Sequence, residues 1–122
     1  MASPEKIWLI NGVGKLLSFN TTSKTFSDFE HITSIKEHNF LTVISQDSNN
    51  VWLSSDNGIC HLDLNNNSLK TYHSSDGLQD HMFLSRSVFK DKQGFLYFGG
   101  VKGLNYFDPN KMSSKESSAS LL

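Results

Sequence analysis

The sequence predicts an all-β protein, a partial β-propeller of about 2.5 four-stranded antiparallel blades. Three observations carry that reading. Landmark residues recur about every 44 positions, short runs alternate between apolar and polar residues, and no apolar stripe at helical spacing runs past two turns.

The period comes first. Trp8 and Trp52 are 44 apart, and Trp52 and Tyr97 are 45 apart. Gly14, Gly58 and Gly103 keep the same phase, and Asp47 and Asp91 are 44 apart. Within a unit, "VWLSS" is a β-branched and aromatic run ended by the turn signal "DNG". "ICHLDL" alternates, with Cys60, Leu62 and Leu64 on one side and His61 and Asp63 on the other. "NNN" is a turn, because Asn tolerates a left-handed backbone, and "LKTY" alternates again. After the loop "HSSDGLQDHM", the run "FLSRSVFK" supplies the fourth strand.

Each recurring position has a structural role. Asp47 and Asp91 open Asx-type turns, and Gly94 relieves strain in one of them. Trp8, Trp52 and Tyr97 are broad flat side chains suited to packing between neighbouring blades. Gly14, Gly58 and Gly103 fall where a hairpin needs positive φ. The division that follows is an N-terminal flank at 1–5, blades at 6–50 and 51–94, the start of a further or ring-closing blade at 95–112, and a Ser-rich linker at 113–122. Propellers close with roughly 4–8 blades, so this arc needs remaining blades or other copies of itself to complete a ring.

Composition narrows the function. With 11 basic and 12 acidic residues evenly spread, no basic stripe marks a nucleic-acid binder. No apolar run approaches the roughly 20 residues of a membrane span, and "MASPEKIW" lacks the pattern of a signal peptide. Cys60 is the lone cysteine, which rules out an intrachain disulfide and favours a small buried hydrophobe. The five histidines show no metal-ligand spacing, so neither metal nor cofactor is expected. "GGVKG" lacks the Lys-Ser/Thr of a phosphate loop, and no GxSxG elbow occurs.

The stretch "VWLSSDNGICHLDLNNNSLKTYHSSDGLQDHMFLSRSVFKDKQGFLYFGGVKGLNYFDPNKM" resembles the two-component regulator propeller repeat. The resemblance rests on Trp52, Leu53, Gly58, Ile59, Leu62, Asp63 and Tyr72, then Asp76-Gly77-Leu78, Asp91 and Gly94. It covers about residues 6–112, and "YFGG…FDP" is similar to the C-terminal blade of such a sensor. The first copy departs from the pattern, being one residue long at "INGVGKLL" and lacking "DGL".

The resemblance implies the extracytoplasmic, periplasmic sensor region of a Bacteroidetes hybrid two-component histidine kinase. This segment would have no catalysis of its own, and an oligosaccharide would be its ligand. Sugar binding calls for hydrogen-bonding side chains on loops held by rigid strands, and Gln79, His81 and Arg86 are the candidates. An inter-blade role for Arg86 and an ordinary loop role for His81 are the competing readings. Two other functions stay open: a self-associating scaffold for protein interaction, and a segment of a propeller lyase or hydrolase.

Overall fold

The computed structural model describes residues 6–56, 58–72, 87–100, 103–111 and 120–121. They form eleven strands in three antiparallel sheets, with no α-helix among the described residues. The first sheet contains β1 (Lys6–Ile10), β2 (Leu16–Asn20) and β3 (Thr25–Asp28) in that order. The second contains β4 (Phe40–Asp47), β5 (Asn50–Ser55), β6 (Gly58–Asp63) and β7 (Ser68–Tyr72), again in chain order. The third contains β8 (Val88–Lys90), β9 (Leu96–Gly100), β10 (Gly103–Phe107) and β11 (Ser120–Leu121). None of the sheets closes on itself. A 3₁₀ turn, Thr33–Glu37, lies in the connection from the first sheet to the second.

The sheets differ from the sequence division by one strand. The unit 51–94 contains β5 to β8, yet β8 pairs with β9, so the sheet boundaries fall between Asp28 and Phe40 and between Tyr72 and Val88. Loop length decides this. Short polar turns join β4 to β5 and β8 to β9, and strands joined by short links pair with each other. The described residues therefore form three sheets of three, four and four strands. Ser120–Leu121, within the stretch expected to be linker, pairs with Tyr106 and Asn105.

The strand period of two sorts the middle sheet between two cores. Val51, Leu53, Cys60 and Leu62 point to one side and join Leu16, Phe29, Ile32, Ile35 and Phe40, with Trp8 and Ile10 packed against them. Trp52, Ile59 and Tyr72 point to the other side and join Leu96, Phe98 and Phe107. That is why "VWLSS" reads as a nearly continuous buried run: β5 is covered on both faces.

The turns hold the register. Asp47 Oδ1 accepts the Asn49 amide at 2.9 Å and the Asn50 side-chain amide at 2.9 Å. Asp91 Oδ1 accepts the amides of Gln93 at 3.0 Å and Phe95 at 2.9 Å, and its Oδ2 accepts the Tyr97 hydroxyl at 2.9 Å. Burial would raise the Asp91 carboxyl, but the bonds from Tyr97 and the turn amides outweigh it and hold the group below its ordinary value. Lys24 and Asn67, 43 residues apart, both have positive φ, at 62° and 51°, so the β2–β3 and β6–β7 turns share a conformation.

Candidate functional site

The described residues enclose a hollow at the end of the molecule where the β1–β2 turn meets the connection from the first sheet to the second. Asn11 builds the turn: its Oδ1 accepts the amides of Val13 and Lys15, each at 3.0 Å. Gly14 has φ 81°, and its carbonyl accepts the Phe40 amide at 3.0 Å. A Cβ there would stand 3.2 Å from both the Asn39 Cα and the Phe40 nitrogen, so the turn and the start of β4 touch backbone to backbone. The connection is anchored by Phe29, whose ring lies 5.3 Å from that of Trp8, and by buried Ile32 and Ile35.

Between these walls lies a hollow of about 200 Å³. Leu16, Phe29, Ile35 and Phe40 give it an apolar floor, and Lys15, Glu30, Lys36, His38 and Asn39 give it a polar rim. Lys15 and Glu30 form an ion pair at 2.6 Å, and Glu30 raises the lysine above its ordinary value. Exposed as it is, the pair orders the rim more than it stabilises the fold.

His38 links the rim to the middle sheet. Its ring stacks on Phe40 with centroids 5.6 Å apart. Nδ1 lies 3.2 Å from the Ser55 hydroxyl and Nε2 lies 3.3 Å from the Thr71 hydroxyl. Because Ser55 donates to the Gly58 carbonyl at 3.2 Å, it accepts from Nδ1, and Nε2 then accepts from Thr71. The Cys60 sulfur is 3.8 Å from Nδ1. Proximity to a histidine suggests a nucleophilic thiol, but the environment opposes it. Cys60 is fully buried, and burial pushes its thiol up to about 11, which keeps the sulfur protonated. The cluster is a buried polar brace that orients the His38 ring.

A second, shallower hollow of about 400 Å³ lies at the opposite ends of β4 and β5, beside the β8–β9 turn. Several polar groups in and beside it are bonded to one another. The Trp52 indole donates to Gln46 at 2.8 Å, Gln46 donates to Asn110 at 2.9 Å, and Lys90 donates to the Ser45 carbonyl at 2.9 Å. The Lys90 bond ties the second sheet to the third, the Gln46 bond ties the second sheet to the turn after β10, and the Trp52 bond lies within the second sheet.

The residues singled out from the sequence fall into three groups. Gln79, His81 and Arg86 lie outside the described residues. Trp8 and Trp52 pack between sheets, whereas Tyr97 lies on the outer face of the third sheet, stacked on Tyr106 at 5.4 Å. Gly58 and Gly94 have positive φ, at 143° and 92°, and Gly103 opens β10 opposite Gly100. The sequence reading missed His38, Asn39 and the Lys15–Glu30 pair. The repeat held one clue: Phe29 keeps phase with Tyr72, so the connection after Phe29 corresponds in sequence to the stretch after Tyr72 from which Gln79, His81 and Arg86 were drawn.

Over 86 residues the chain is 29% identical to histidine kinase P4 of Formosa agariphila, a match covering 70% of this chain and 6% of that protein. Its fold matches the crystal structure of the extracellular domain of a protein described as a one-component system of B. thetaiotaomicron. That match has a TM-score of 0.72 at 17% identity and covers 99% of this chain and 15% of the other. The extracellular domain of a hybrid two-component system of the same bacterium matches with a TM-score of 0.68 at 20% identity, covering 97% and 16%. No protein-family model matches the chain. The chain thus resembles a histidine kinase in sequence and extracellular sensor-system domains in fold, and it spans a small fraction of each. Among the described residues, no helix is long and apolar enough to cross a membrane.

Proposed function

We propose that this chain is a non-catalytic segment of the periplasmic, ligand-sensing propeller of a hybrid two-component histidine kinase. On this reading the three sheets are successive blades, and the missing ring is supplied by sequence beyond them. One observation carries the proposal: three antiparallel sheets stacked on two cores, matching an extracellular domain over 99% of this chain. The sequence likeness to a histidine kinase gives the same direction.

The ligand on this reading is an oligosaccharide, and the hollow beside His38 contributes to its site. A sugar presents an apolar ring face and a rim of hydroxyls. The hollow offers Phe29 and Phe40 below and Lys36, His38 and Asn39 around it. Calorimetric titration of oligosaccharides into the complete ectodomain tests this. A saturable heat with one class of glycan is expected, and Asn39→Ala should weaken it by about 0.5–1.5 kcal/mol, roughly two- to tenfold in Kd. Absence of binding across glycan classes would overturn the ligand. Binding that ignores Asn39→Ala and Lys36→Ala would remove the site from this hollow.

A further inference from the structure

The β1–β2 turn, where the first repeat departs from the others, holds the parts of a covalent reaction. Asn11 is followed by Gly12, and a residue without a Cβ leaves its backbone nitrogen open to approach. Gly12 is exposed, and a Cβ there would have nothing within 4 Å. Its amide donates to no described residue.

The Asn11 side chain is bonded in the way that favours attack on it. Oδ1 accepts two main-chain amides, from Val13 and Lys15, each at 3.0 Å. The bond from Val13 folds the side-chain amide back along the Asn11–Gly12 peptide. Both donors draw electron density from Cγ and face the negative charge that attack on Cγ would place on Oδ1. Nδ2 has no partner among the described residues. Asn20 is the internal comparison: its Oδ1 accepts the amides of Thr22 and Ser23 at 2.9 and 3.0 Å, but β-branched Thr21 follows it.

We propose that Asn11 is a site of spontaneous modification by cyclisation onto the Gly12 nitrogen. That nitrogen loses its proton to solvent and bonds to Cγ. The Cγ–Nδ2 bond breaks, and Nδ2 takes a proton from solvent and leaves as ammonia, closing a succinimide. Water then adds to either imide carbonyl. Opening at one C–N bond gives aspartate and at the other isoaspartate, with no change of oxidation state. Aspartate retains the acceptor that holds the turn. Isoaspartate puts an extra carbon into the main chain, which separates the Asn11 amide from the Lys15 carbonyl and draws the Gly14 carbonyl off the Phe40 amide. The reaction thereby loosens the wall of the hollow, whatever the hollow binds.

Tryptic mapping of the 122-residue chain after incubation at mildly alkaline pH tests this, because cleavage after Lys6, Lys15 and Lys24 places Asn11 and Asn20 in separate peptides. Peptide 7–15 should gain the mass of one deamidation and resolve into aspartyl and isoaspartyl forms, while peptide 16–24 stays unchanged. Gly12→Ala fits the open space and should slow conversion by at least about tenfold. In urea the two donors are lost, so the unfolded chain should convert at Asn11 no faster than the folded one. Retention of Asn11 in the folded chain would overturn the proposal, as would equal conversion at Asn20 or in Gly12→Ala. Faster conversion in urea would show that the turn shields Asn11, and would overturn it too.

Discussion

Trp52 is fully buried, with His61 stacked 4.4 Å away, Phe107 at 5.1 Å and the indole nitrogen bonded to Gln46. Its neighbour His61 directs Nε2 to the Asn50 side-chain oxygen at 2.8 Å, which puts the proton of the neutral ring on that nitrogen. Burial lowers the His61 pKa from 6.5, Asp63 and Asp47 oppose the shift, and Lys70 reinforces it. The unfolded chain therefore binds a proton more readily than the folded one in the interval just below 6.5. Stability is full above that interval and falls as pH drops through it. Urea denaturation between about pH 5 and pH 7 should show this slope, and His61→Gln, which retains an amide donor, should flatten it. An unchanged slope in the variant would clear His61 of the effect.

At the scale of the element, the turns separate two demands on glycine. Gly94 has φ 92° with nothing near the place a Cβ would occupy, so Gly94→Ala adds backbone strain alone, about 1 kcal/mol. Gly14 has φ 81° and also faces the backbone of Asn39 and Phe40 at 3.2 Å. Gly14→Ala should cost at least about 1 kcal/mol more and loosen the wall of the hollow. Equal losses by urea denaturation would show that the close approach relaxes freely. Such turns are legible in a sequence because they are local: Asp91, Gln93 and Gly94 lie within one turn, and alternation marks β5 and β6 directly. Pairing across a long connection is not local. The short turn after "VFK" is the local signal that joins it to β9, but nothing near Cys60 announces His38, which is 22 residues away in the chain. The site is less legible than the strands for this reason: its rim is assembled from a turn, a connection and a sheet end.

Across the whole molecule, each sheet meets only its neighbours, and protection from solvent should follow that order. β2, β5 and β9 each have a strand on both sides, so edge position does not distinguish them. Face coverage does: β5 is buried on both faces, whereas β2 and β9 each turn one face outward. In native-state hydrogen exchange on dilute protein, the amides of β5 and β6 should be the slowest, exceeding those of β2 and β9 by about tenfold, or roughly 1.4 kcal/mol. Equal protection would mean the three sheets open as one unit and the layered description fails.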